Sequence, residues 1–163
     1  MILLPKYSCF FPNNLAREKA RQRVLKYPPE SFESYNDWFF FIHIDPVQRF
    51  IHAFGMYVGL YFFFMIVIDW GPRSFYYYPL GVFFFYGLGV VSHAIFDKGT
   101  AKSHPKFFLS TLPIVIKFNL LTTFGQYDSE LRKFIKKYPF VADAFELEEV
   151  PRTKAFQHLL NSK

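Results

Sequence analysis

The sequence predicts an all-α membrane protein: a membrane helical hairpin, a third and weaker membrane or re-entrant segment, and amphipathic helical arms. Three observations carry this prediction. Aromatic residues make up 23% of the 163-residue chain, with 24 Phe and 11 Tyr. The apolar residues are concentrated between Phe50 and Phe124, whereas a soluble domain spreads them at helical or strand period. Two of the apolar stretches are long enough to span a bilayer, and they meet at the turn Asp69–Trp70–Gly71–Pro72. The chain divides accordingly into a soluble N-terminal arm (1–30), a membrane core (31–125) and a soluble C-terminal tail (126–163).

In the arm, Leu15 to Tyr27 reads as a short helix closed by Pro28 and Pro29. The stretch from Ser31 to Ile42 turns aromatic at Trp38, Phe39, Phe40 and Phe41, is too short to span, and reads as a helix in the membrane interface. The first span runs from about Phe50 to Ile68, roughly 28 Å at helical rise, close to the hydrocarbon thickness. Gly55 and Gly59 give it a small-xxx-small face that admits close approach of another helix. The second span runs from about Phe75 to Phe96. It is thinned by Gly81, Gly87 and Gly89 and opens on Tyr76–Tyr77–Tyr78, suited to an aromatic belt. The third segment, Phe107 to Phe124, is interrupted by Pro113 and Lys117. If it is re-entrant, seventeen basic residues lie on one side of the membrane and one on the other; if it crosses, the split is ten against eight. The positive-inside tendency favours the re-entrant form. In the tail, Leu131, Phe134, Ile135 and Tyr138 recur at helical spacing among Arg132, Lys133, Lys136 and Lys137, a pattern suited to a membrane surface or a partner subunit.

The net charge of +6 invites a nucleic-acid reading. The basic residues lie outside the apolar segments, however, where they meet lipid headgroups, and neither zinc-finger spacing nor an RNA-binding aromatic signature is present. Nucleic acid is set aside. Cys9 is alone, which excludes an intramolecular disulfide framework. The opening run Met1–Leu4 is cut by Pro5 and Lys6 and is too short for a signal-peptide core. The stretch from Arg17 to Lys26 contains Glu18 and is a poor transit peptide.

The chemistry lies in the histidines. His52 is near the start of the first span and His93 near the end of the second, so a hairpin returns both to one membrane face. His43 precedes the first span and His104 follows the second, which tethers both to that face. His93 and Asp97, four apart on a helix, project from one stripe. Imidazole and carboxylate are natural ligands for iron or zinc, so His43, His52, His93, His104 and Asp97 form the candidate metal set. An interfacial histidine bonded to a carbonyl or water is the bland alternative for each. His158 reads as solvated.

The run Ser34–Tyr35–Asn36–Asp37–Trp38–Phe39 leads into His43, Asp45–Pro46, Arg49, His52 and Gly55. With Ser92–His93, Asp97–Lys98 and His104–Pro105, it resembles the Mpo-type 2-hydroxy fatty acid dioxygenases, small multi-pass membrane proteins. The resemblance covers about Ser31 to Gly125. It implies Fe(II) held by histidines and O₂-dependent shortening of 2-hydroxy fatty acids by one carbon. Ser92 stands where that family usually carries Gly, Gln48 where it often carries Asn, and Asp97–Lys98–Gly99 where it carries Glu-Lys-Asn.

Two functions follow. The favoured expectation is an accessory structural subunit of a larger membrane assembly, such as a respiratory or other energy-converting complex of the mitochondrial inner membrane, built on this dioxygenase-like fold. The arms would then bury their apolar faces on other subunits, since the tail is too short to build a core. The alternative is an active Fe(II)-dependent 2-hydroxy fatty acid dioxygenase, for which the endoplasmic reticulum is the second candidate compartment. Membrane lipids are partners in both.

Overall fold

The computed structural model of the protein describes residues 1–103 and 112–161 and is mostly helical. A strand β1 (Ile2–Pro5) and helix α1 (Asn14–Lys26) precede a short helix α2 (Tyr35–Ile42) and the long helix α3 (Pro46–Ile68). The second long helix, Ser74–Phe96, consists of α4 (Ser74–Val82), a π turn over Phe83–Gly87, and α5 (Leu88–Phe96). Then come α6 (Leu112–Thr123), α7 (Tyr127–Lys137), α8 (Phe140–Phe145), strand β2 (Leu147–Val150) and α9 (Ala155–Asn161).

Helices Pro46–Ile68 and Ser74–Phe96 are each 23 residues long and apolar enough to cross a membrane. Only 22% and 28% of their most apolar stretches are buried within the protein, so their side chains mostly face outward, unlike a core helix of a soluble domain. The first begins four residues before the expected Phe50. Asp45 caps it, accepting from the Val47 and Gln48 N–H groups at 2.9 and 3.1 Å, and Pro46 occupies the first position, where its missing N–H costs nothing.

The two helices pack through glycine. A Cβ on Gly55 would lie 2.5 Å from the Phe84 carbonyl oxygen, one on Gly59 2.7 Å from Phe85 Cβ, and one on Gly89 3.0 Å from the His52 ring. Gly81 faces Phe63 in the same way. Rising numbers on one helix meet falling numbers on the other, so the pair is antiparallel. In the π turn the Leu88 N–H reaches back five residues to the Phe83 carbonyl.

A second body of packing caps one end of the helix pair. Trp38 and Phe41 of α2, Phe118 of α6, Tyr127, Leu131 and Phe134 of α7, and Val141 and Phe145 of α8 share one buried core. The expected interfacial helix at 31–42 is therefore interior, with Trp38, Phe39, Phe41 and Ile42 all buried. The amphipathic face of α7 is likewise covered by its own chain: Phe134 lies 4.7 Å from Phe40, and Phe40 stacks on Tyr127 at 4.9 Å. The tail builds its core jointly with residues 32–44, which supplies the apolar area that its own length lacks. Acidic Asp128 and Glu130 at the start of α7, and Lys136 and Lys137 at its end, complement the helix dipole.

Strands β1 and β2, which the sequence pattern did not predict, join the two termini in an antiparallel ladder, Ile2 opposite Val150 and Pro5 opposite Leu147. Lys19 adds a 2.8 Å ion pair to Glu146, and Lys98 one of 2.6 Å to Glu18.

Candidate metal centre

His43 ends α2, His52 lies in the second turn of α3, and His93 lies in the last turns of α5. The cap and the antiparallel pair bring the three rings together, with centroids 4.6 Å (His43–His52), 5.0 Å (His43–His93) and 5.4 Å (His52–His93) apart. One nitrogen from each lies within 4.8 Å of the other two. His43 and His93 are fully buried.

Neighbouring groups fix the tautomers. His43 Nδ1–H donates to the Phe39 carbonyl at 2.7 Å, because a carbonyl only accepts. His93 Nδ1–H donates to Asp97 Oδ2 at 2.6 Å, a buried His–carboxylate pair within one helical turn. Both assignments leave the Nε2 lone pairs directed at each other across 3.3 Å. Two facing lone pairs repel at that separation and are reconciled by a shared proton or a cation between them. Ser92 Oγ donates to the Gly89 carbonyl at 2.9 Å, so at its 2.8 Å contact with His52 it accepts from Nε2–H.

The donor set fits a transition metal. Neutral imidazoles suit iron, zinc and copper, and two nitrogens at about 2.0–2.1 Å from a tetrahedral metal stand about 3.3 Å apart. Asp97 occupies the outer position of a carboxylate–histidine pair, where it orients His93 rather than offering its engaged oxygen inward. His104 lies outside the described residues, as do residues 107–111 of the expected third segment, whose remainder is α6.

Further residues, not singled out as site groups from the sequence, complete the surroundings. Arg49 donates to the carbonyls of His43 and Ile44, and its guanidinium lies 3.5 Å above the Tyr127 ring. Tyr127 O–H donates to the His43 carbonyl at 3.3 Å, and its burial pushes the phenol pKa upward. Asp45, whose cap holds the α3 start beside this turn, is also pushed upward by burial, against the bonds it accepts from Gln48 and Val47 N–H. The Gln48 amide lies 2.9 Å from His93 Nδ1; since that nitrogen carries the proton, the amide oxygen is the end that belongs there. Gln48 and Ser92 thus both touch the cluster. Arg49 stood in the motif but carried no assigned role, and Tyr127 had no sequence signal, being 84 residues from the histidine it touches.

No protein-family model, curated protein or solved structure matches the chain.

Proposed function

We propose that the protein is an integral membrane metalloprotein in which His43, His52 and His93 hold a nonhaem iron, used in oxidation of 2-hydroxy fatty acids as in the Mpo-type enzymes it resembles. The convergence of the three rings, with tautomers set by Phe39 and Asp97, is the observation that carries this reading. Iron bound there supplies one-electron and O₂ chemistry. The chain's own part is to hold the ligands: Asp97 fixes the His93 ring, the Phe39 carbonyl fixes His43, and Arg49 ties down the turn that carries His43. His43 and His93 are fully buried, out of reach of bulk water, while His52 is only half-buried.

In this reading α3 and the α4–α5 helix form a membrane hairpin, α6 is re-entrant or interfacial, and the cap sits at the basic face. Metal analysis of the purified protein, with O₂ uptake on a 2-hydroxy fatty acid, tests the function. Protein without metal that leaves the substrate untouched would end the enzyme reading. Single cysteines introduced at Trp70 and at Glu130, in a Cys9→Ser background, should label from opposite sides of the membrane.

A second reading, the accessory subunit of a membrane assembly such as a mitochondrial respiratory complex, is favoured by one feature. Phe11, Leu15, Leu25, Phe156 and Leu160 of the arms stay exposed, Phe11 to 92%, although they lie outside the spanning helices. Native mass resolves the two: a stable complex with other subunits supports this reading, and a monomer active alone removes it.

A further inference from the structure

Helix α1 is polar along most of its length, and the face it turns inward carries Ala16 and Ala20, four apart, with Arg23 beside them. Polar contacts around that face dock it. Arg17 donates to the Ala94 carbonyl of α5 at 3.2 Å, Arg23 to the Ala144 carbonyl at 3.3 Å, and Glu18 holds Lys98. Beneath the alanines lies a chamber of about 40 Å³, with Ser8, Arg23, Asp45, Gln48 and Asp97 in its wall. That is room for at least one water molecule, and the wall is polar enough to hold it. On its other side Arg23, with Tyr7 and Phe145, lines an open groove between α1 and α8. The guanidinium, 3.8 Å above the Phe145 ring, therefore parts the chamber from solvent.

Asp97 gives its Oδ2 to His93 at 2.6 Å, but its Oδ1 is buried and no described residue bonds to it. A carboxylate oxygen taken out of water without a partner is costly, so the chamber wall calls for a donor at this point. Arg23 is suited to supply one, since a guanidinium donates through all of its nitrogens. Burial lowers its pKa to about 10, while the carboxylates of Asp45 and Asp97 oppose that shift, which sets the charge within their field. Among the described residues no direct bond joins Arg23 to either acid. We propose that a water held in this chamber bridges Arg23 to Asp97 Oδ1, making Arg23 a positioning residue that keeps the carboxylate set against His93. The water accepts from the guanidinium and donates to Oδ1, which leaves Oδ2 to the imidazole. The N-terminal arm thereby becomes part of the histidine site. The bridge stands on the chamber and the Asp97 oxygen; only its effect on metal affinity rests on the proposed metal centre.

The test uses the full-length protein in a neutral maltoside detergent, first stripped of metal. A short imidazole–carboxylate bond puts the His93 Nδ1 proton far downfield in the NMR spectrum, where its loss in His93→Gln assigns it. Arg23→Met keeps an apolar stem over Phe145 but removes the donors, and the resonance should broaden into exchange with solvent. Arg23→Lys, which still offers a donor to the water, should restore it. Ala20→Val leaves Arg23 in place but pushes methyls into the chamber, and should reproduce the Arg23→Met result. With Co²⁺ added, chelator competition should show about ten-fold weaker binding in Arg23→Met and recovery in Arg23→Lys. A resonance unchanged in Arg23→Met, or lost equally in Arg23→Lys, would overturn the proposal. One unchanged in Ala20→Val would overturn the water bridge. Loss of the resonance as expected, in proteins that bind no Co²⁺, would uphold the bridge and remove the metal centre instead.

Discussion

The Nε2 atoms of His43 and His93 face each other across 3.3 Å, while Asp97 holds the opposite nitrogen of the His93 ring at 2.6 Å. The carboxylate thereby decides which nitrogen of His93 is presented to a metal. Asp97→Asn keeps the shape but removes the charge that favours this tautomer. Metal affinity, measured by chelator competition in detergent, should fall by about 10–100-fold with helix content unchanged. Each of His43→Ala, His52→Ala and His93→Ala should lower it at least as far. Unchanged affinity in Asp97→Asn would dismiss the orienting role.

The close approach of α3 to the α4–α5 helix depends on the side chains missing at Gly55, Gly59, Gly81 and Gly89. Gly59→Leu puts atoms where Phe85 already stands, and separating the helices should cost about 1–3 kcal/mol, read as a lower midpoint of unfolding in detergent. Gly71, with nothing within 4 Å of its would-be Cβ, is the control, and Gly71→Ala should leave the midpoint in place.

Truncation after Gln126 removes Tyr127 from beneath Arg49 and half of the core that encloses His43. The shortened protein should lose metal along with the cap, although all candidate ligands precede the cut. Leu131→Ala tests the same coupling more gently, with about 2–5 kcal/mol of destabilisation. A truncated chain that binds metal as the full chain does would show that the cap is dispensable.

Asp37 accepts from Lys137 and from the Tyr138 hydroxyl, each at 2.9 Å, and this pins the tail to α2. Burial alone would raise the Asp37 pKa, but these bonds outweigh it and hold the carboxyl below its ordinary value. A depressed carboxylate contributes stability above its unfolded pKa of about 3.9, and that contribution is lost as pH falls through the folded value. Hydrogen exchange in α7 should therefore be insensitive to pH-linked loosening at neutrality and accelerate below about pH 4, after correction for the intrinsic rate. Tyr138→Phe removes two hydrogen bonds, the one donated to Asp37 and the one accepted from the Glu33 N–H, and should cost about 1–3 kcal/mol. Loosening of α7 already at pH 6 would point to another group.

The long helices and the histidine trio were readable because both follow from chain-local facts. Twenty apolar residues announce a span, and a hairpin returns His52 and His93 to one end whatever the packing. The α3 start was misplaced because Pro46 reads as a separator until Asp45 is recognised as its cap. The α2 and α7 faces were misread for a deeper reason. An aromatic run such as Trp38–Phe41 has the same pattern whether lipid or Phe134 covers it, and only tertiary contact distinguishes the two. Ladder pairing of residues 2–5 with 147–150 joins segments too short and too distant for periodicity to reveal.

The π turn at Phe83–Gly87 bears on how this chain should be aligned with others. Gly81 and His93 both face α3, yet they are twelve positions apart, and residues on one face of a regular helix fall eleven apart. The turn absorbs the one surplus residue. A relative shorter by one residue within 83–87 would carry its histidine on the same face of a straight helix. Loss of one residue between Leu88 and Ser92 would instead swing the histidine away by about 100°. An ungapped alignment through this helix would then match His93 to the wrong neighbour, and a homologous histidine would be scored as missing.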